Sequence, residues 1–174
     1  MSNTKNILND FIVQTSIGLF CSYGNFYLDP KEPVINAVIS HAHGDHAVGG
    51  NQNVYCTKAT SLFMLHRYKK FAAVNFLIKG YHEVFDVNGV KISFYPAGHM
   101  LGSALVLLEF EGIKYLYTGD YKLEDDDTCE AIEFVEADVL ITETTFANPE
   151  TEHPDAVGEI QKLNNVEANI MLGS

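Results

Sequence analysis

Apolar residues in this chain fall in short blocks broken by glycine, asparagine, aspartate and proline, the pattern of a strand-rich protein rather than a helical one. The blocks predict strands over Phe11 to Gln14, Ile17 to Cys21 and Asn25 to Leu28, the last closing at Asp29-Pro30. Val34 to Ile39 is a buried-type run, and Asn53 to Cys56 follows after a polar break. Thr57 can then cap a helix from about Lys58 to Lys70, with Ala59, Leu62, Phe63 and Leu65 as its apolar side. Further strands are predicted over Asn75 to Lys79, His82 to Phe85 and Val90 to Tyr95, with Asn88-Gly89 as a hairpin signal. Ala104 to Phe110 and Ile113 to Tyr117 flank a turn at Glu111-Gly112. Asp138 to Thr142 reads as a buried-type strand, Pro154 to about Asn164 as a helix, and Ala168 to Leu172 as a last strand. The sum predicts two packed sheets with helices outside.

The breaks carry the chemistry. Ser40-His41-Ala42-His43-Gly44-Asp45-His46 directly follows the Val34 to Ile39 run. Neutral imidazole and carboxylate suit zinc and its divalent neighbours, and this spacing suits two adjacent ions better than one. In an extended stretch His41, His43 and Asp45 share a face and His46 lies opposite. A turn near Asp45 would let His41 and His43 hold one ion while Asp45 and His46 face a second. Gly44, without a Cβ, would allow close approach of backbone and ions.

Other strand ends repeat the theme. His99 sits between Gly98 and Gly102 and could complete a three-histidine set, and Asp120 ends the strand over Ile113 to Tyr117 with two oxygens able to span two ions. Asp29 is either a turn-former before proline or a carboxylate that orients a ligand histidine from behind; the sequence leaves the two about even. His66, Arg67, Lys69 and Lys70 form the basic patch of the chain, either a solvated helix face or a phosphate-contacting surface.

Composition narrows the setting. The 174 residues have a 47% hydrophobic content, enough for a substantial core, and their apolar runs are shorter than a membrane span needs. The N-terminus has no apolar signal-peptide region. Cys21, Cys56 and Cys129 are too scattered for a disulfide framework and fit small core residues or idle thiols in a reducing cytoplasm. The formal net charge of −12 argues against a broad basic nucleic-acid footprint, although bound cations would offset part of it locally.

The set His41-Ala42-His43-Gly44-Asp45-His46, His99, Asp120 and Asp29 resembles the metallo-β-lactamase superfamily. That resemblance implies an α/β fold, the four-layer αββα sandwich, with a dinuclear metal site at its edge. It implies that His41, His43 and His99 hold one metal, that Asp45 and His46 hold the other, and that Asp120 bridges them. The stretches Pro96 to Ala104, Tyr117 to Lys122 and Glu143-Thr144-Thr145-Phe146 resemble the nucleic-acid-processing branch that carries a β-CASP cap domain. Gly18 through Pro30 and Asp127 to Glu130 are most similar to bacterial ligase-associated DNA exonucleases. In that branch the cap and a last metal-binding histidine follow the segment present here, so residues 1–174 are expected to be one domain incomplete at its C-terminus.

The resemblance implies two divalent ions, zinc first and manganese as the alternative, with Asp45 as ligand and orienter of the attacking water. Glu143 would match the first acidic motif of the cap region and serve in protonating the leaving group. The expected activity is phosphodiester hydrolysis on nucleic acid, DNA rather than RNA, by a cytoplasmic exonuclease in repair or end processing beside a DNA ligase or helicase, with no membrane partner. The rival expectations are a small-molecule hydrolase, such as a thioesterase or lactamase, and an inactive metal-binding fragment.

Overall fold

A computed structural model describes residues 6–144, 150, 154 and 156–165. Two compact units divide it, Met1–Glu143 and Thr144–Ser174. The smaller contains α2 (Ala156–Asn164). The strand expected over Ala168 to Leu172 and the Thr145-Phe146 part of the Glu143 motif lie outside the described residues.

The larger unit is built on two sheets. The first runs in chain order, β1 (Ile12–Gln14), β2 (Leu19–Cys21), β3 (Phe26–Leu28), β4 (Asn36–Val38), β5 (Asn51–Cys56) and β6 (Ala73–Ile78). Its first three strands are antiparallel neighbours, whereas β3 through β6 pair in parallel. The second has the order β11 (Val139–Ile141), β10 (Ile113–Tyr117), β9 (Ala104–Phe110), β8 (Val90–Pro96), β7 (Phe85–Val87), antiparallel except for the parallel β10–β11 pair.

Alternation along the strands sorts side chains into three apolar layers. On β9, Ala104, Val106 and Leu108 enter the central core with Phe26, Leu28 and Val38 of the first sheet, while Leu105 and Leu107 point to the other face. That second face is covered by Ile132 and Val135, which belong to a segment without helix or strand. On β4, Val38 enters the central core, whereas Ala37 and the following Ile39 pack with Met64 of the helix α1 (Lys58–Tyr68). The expected α/β sandwich is thus formed, with a helix on one outer face of this unit and an irregular segment on the other.

Three local expectations need correction. In α1 the buried residues are Thr60, Ser61 and Met64, whereas Leu62, Phe63 and Leu65 are exposed. The hydroxyls can be buried because each finds a backbone acceptor: Thr60 Oγ1 donates to the Gly102 carbonyl and Ser61 Oγ to that of Lys58. The strand expected over His82 to Phe85 begins only at Phe85. His82 has φ +64°, and the Glu83 carboxylate accepts from the Gly80 amide and the Lys79 ammonium, so the preceding residues form a turn. Among the described residues the buried-type strand near Asp138 lies at a sheet edge, with Leu140 61% exposed.

At the starting end of the parallel strands, asparagines form a ladder. Asn36, Asn53 and Asn75 are in register across β4, β5 and β6. Asn75 Nδ2 donates to Asn53 Oδ1 (2.9 Å), Asn53 Nδ2 to Asn36 Oδ1 (3.0 Å), and Asn36 Nδ2 to the Asn25 carbonyl (3.3 Å). A slip of one residue would break every link, so the ladder reinforces the register.

Candidate metal centre

The candidate residues meet because they follow the finishing ends of strands that run the same way. Asp29 follows β3, the histidine loop follows β4, His99 follows β8 and Asp120 follows β10. β8 and β10 share a direction because each is antiparallel to β9. The Ala104 amide donates to the Ser40 carbonyl (2.8 Å) and joins the two sheets at this rim.

Helix α1 braces two of the loops. Thr57 caps it through Thr60 N and also donates to the Gly102 carbonyl (2.7 Å), in the turn that carries His99. A Cβ on Gly102, whose φ is +81°, would come within 2.7 Å of Thr57 Oγ1, so only glycine permits that approach. Arg67 Nη1 donates to the Ala42 carbonyl (2.7 Å), between two of the histidines. Arg67 is thus an exposed residue that also supports the loop.

His41 Nε2 and His99 Nε2 lie 3.1 and 3.0 Å from His43 Nδ1. Asp120 presents one oxygen, Oδ2, at 3.7 Å from both His41 Nε2 and His99 Nε2, and the other, Oδ1, at 3.3 Å from His46 Nε2. His41, His43, His99 and Asp120 thus make one convergent set and Asp29, His41 and His46 a second. Exposure grades across the rim: His41 is fully buried, the Asp120 side chain is 27% exposed and that of Asp45 80%. Asp45 Oδ2 is 3.7 Å from His46 Nε2 and belongs to neither set. Glu143 stands just beyond β11 at the same rim, and its charge acts on His99.

Behind the histidines lies Asp29, 8% exposed, with φ +42° in the left-handed region that aspartate tolerates. Its Oδ1 accepts from the Ser40 amide (2.7 Å). Its Oδ2 accepts from the Ser40 hydroxyl, from Tyr117 Oη (3.0 Å) and from His46 Nδ1 (2.9 Å). Asp29 turns the chain before Pro30, and its contact with His46 Nδ1 is the one that its second sequence reading would need. Ser40 and Tyr117 were not singled out by sequence, although Ser40 adjoins the motif and Tyr117 ends a strand next to Thr118-Gly119-Asp120. At Gly44 a Cβ would meet no protein atom within 4 Å. The glycine that matters is Gly119, where a Cβ would fall 2.5 Å from Ser40 Oγ.

Electrostatics keep His41 neutral. Burial, then the charges of His46, His99 and His43, push it down to about 2. His99 is also lowered, chiefly by burial. Burial pulls His46 down, but its hydrogen bond to Asp29 and the charges of Asp29, Asp120 and Asp45 outweigh this and raise it.

No family model matches the chain. Over 155 residues, 88% of its length, it is 32% identical to a probable DNA ligase of Opitutus terrae. Over 80 residues, 45% of its length, it is 44% identical to the cleavage and polyadenylation specificity factor 73 of Drosophila melanogaster. Over 133 residues, 73% of its length, it is 31% identical to the endoribonuclease YSH1 of Saccharomyces cerevisiae. The chain belongs to the metallo-β-lactamase superfamily, in its β-CASP branch. The matched regions span 15%, 11% and 16% of those three relatives. Among solved structures, the metallo-β-lactamase fold protein YhfI of Bacillus subtilis aligns with a TM-score of 0.41 and 17% identity over 51% of this chain and 42% of that one, an overlap too partial to speak for the fold.

The superfamily's fold implies divalent metals, and the donor set fits them. His41 Nδ1 lies 3.0 Å from the Ser40 hydroxyl, and a proton held there leaves the Nε2 lone pair for a cation. His43 Nδ1 could at best donate to one of its two neighbouring imidazole nitrogens, leaving a crowd of lone pairs beside the Asp120 carboxylate. A divalent cation satisfies such a set where hydrogen bonds among its members cannot.

Proposed function

We propose that this chain carries the metal-binding, hydrolytic site of a nuclease that cleaves phosphodiester bonds of nucleic acid, degrading DNA from an end. The observation that supports it most is Asp120, whose two oxygens face different histidine groups, as a carboxylate shared between two positions requires. His41, His43 and His99 would hold one cation and His46 with Asp45 the other, zinc being favoured by the imidazole-rich set and manganese a workable substitute. Such ions, when bound, would offset phosphate charge and acidify water near neutral pH.

The chain's own groups supply the rest. Asp45, with its largely exposed carboxylate, is placed to orient the attacking water and accept its proton. Glu143, at the same rim, is the candidate carboxyl for the leaving oxygen. Tyr117 keeps its proton, because burial and then the Asp29 charge raise it well above the ordinary phenol value, so it acts as a hydrogen-bond donor rather than a base. The exposed Lys69 and Lys70 remain available for phosphate contacts. Their local field matters more than the net charge of −12, since a Debye length of about 8 Å at physiological salt screens distant groups.

Support for DNA comes from the resemblance to ligase-associated exonucleases and from similarity over most of the chain to a protein named as a probable DNA ligase. This reading places the protein in the cytoplasm beside DNA joining or unwinding enzymes. Among the described residues no helix is long and apolar enough to cross a membrane. The test is hydrolysis of end-labelled single- and double-stranded DNA with zinc or manganese, alongside RNA and a chromogenic lactam. End-directed DNA loss that weakens steeply with added salt is expected. Cleavage of RNA alone would transfer the reading to the chemistry named in the endoribonuclease relative, and turnover of the lactam with nucleic acid intact would overturn it.

A further inference from the structure

Two histidines on different sides of Asp120 are controlled by one buried carboxylate. His46 meets Asp29 directly (Nδ1 to Oδ2, 2.9 Å). His41 meets it through one intermediary: Nδ1 lies 3.0 Å from Ser40 Oγ, and Ser40 Oγ contacts Asp29 Oδ2. The proton positions follow by elimination. Ser40 has a single hydroxyl proton, and the Asp29 carboxylate beside it can only accept, as it also does from the Ser40 amide and the Tyr117 phenol, so that proton goes to Asp29. The Ser40 oxygen must then accept from His41, which fixes its proton on Nδ1 and its lone pair on Nε2. His46 beside the same carboxylate likewise carries its proton on Nδ1 and turns Nε2 toward Asp120 Oδ1.

We propose that Ser40, Asp29 and Tyr117 form one positioning unit that sets the tautomers of His41 and His46 together, so that the two cation positions are coupled through the protein as well as through Asp120. Tyr117 contributes by holding Asp29 in place from the other sheet, since β10 and β3 belong to different sheets. Gly119 contributes by the absence of a side chain, because a Cβ would displace the Ser40 hydroxyl from its place between Asp29 and His41. None of these four residues needs to touch a cation. They act through the orientation of the imidazoles that would. The inference rests on the reading of this rim as a metal site.

The experiment pairs two substitutions that each remove one oxygen and little volume, Ser40→Ala and Tyr117→Phe. Imidazole nitrogen NMR of the metal-free protein reports tautomers, and calorimetric titration with zinc or manganese alone reports affinity. In the unaltered protein His41 and His46 should both show protonated Nδ1. Ser40→Ala should release His41 into mixed tautomers, leave His46 unchanged, and weaken one of the two cation positions by roughly 10–100-fold. Tyr117→Phe should leave both tautomers in place and weaken both positions by a smaller, similar factor, because it loosens the carboxylate they share. If Ser40→Ala keeps His41 on a single tautomer and both affinities stay within about twofold, the positioning unit is refuted. If the unaltered protein takes up no cation although its tautomers are as stated, the metal reading fails while the hydrogen-bonded unit stands.

Discussion

The parallel strands of the first sheet end in two polar arrangements of opposite logic. At the starting end, Asn36, Asn53 and Asn75 pass hydrogen bonds along the row, each amide donating to the next carbonyl. An asparagine side chain carries both donors and an acceptor, so a row of them can satisfy itself. At the finishing end, Nδ1 of His41 and of His46 is engaged from behind by Ser40 and Asp29, while Nε2 of His41 and of His99 crowds against His43 Nδ1 beside Asp120. Acceptors cannot satisfy acceptors. One rim is chemically closed and stabilises the fold; the other is open and calls for a cation.

The largest expected effect comes from breaking the open rim at its shared member. Asp120→Ala should reduce cation uptake from two per chain to at most one, and lower any nuclease turnover by roughly a hundredfold or more, beyond what loss of a supporting partner costs. The melting temperature without metal should not fall, because the 27% exposed carboxylate sits outside the apolar clusters. Two-per-chain uptake by this variant, read by metal analysis after dialysis, would remove the reason for treating Asp120 as shared.

Acid should separate the rims next. His41 titrates near its ordinary value in the unfolded chain but is pushed down to about 2 when folded. Between these values the unfolded state binds the extra proton, so this group makes the metal-free protein less stable as the pH falls from about 6.5. His46 is shifted the other way; its contribution is present below the unfolded value and fades as pH rises through its raised folded one. His41→Asn should flatten the acid side of the stability curve. Denaturant midpoints measured across pH that keep the same acid slope would show that His41 is not the group responsible.

Breaking the closed rim should cost stability alone. Asn53→Ala removes the middle of the ladder and leaves both neighbours without their partner, an expected loss of about 1 kcal/mol in chemical denaturation. Cation affinity should not change. The smallest effect is at the end of the row: Asn75→Ala removes one exposed hydrogen bond and should stay within about 0.5 kcal/mol. Equal costs at the two positions would mean the ladder is not a connected row.

The strands were legible because alternation and turn chemistry are local. Ala104 to Phe110 and Ile113 to Tyr117 form as expected, and Asn88-Gly89 takes the two positive φ values, 53° and 89°, that its hairpin needs. The face of α1 was not legible. Apolar content pointed to Leu62, Phe63 and Leu65, but the sheet and the His99 turn select the face whose small hydroxyl residues can reach backbone carbonyls. The partner of Arg67 was not legible for a related reason: a long cation on a surface helix says nothing about which carbonyl it will find, and Ala42 comes near only once α1 lies against the first sheet.

By itself the sequence determined the strands, their turns and the residue types able to hold a cation, because these follow from side-chain period and from chemistry that neighbours in the chain share. It could not determine that Ser40 and Tyr117 meet on Asp29, or that Asp120 divides its oxygens between histidines on two sides. Those groups stand 11 and 88 residues from Asp29. Only the stacking of two sheets with their β3, β4, β8 and β10 ends at one rim brings them within hydrogen-bond distance, and distance is what turns a list of polar residues into a site.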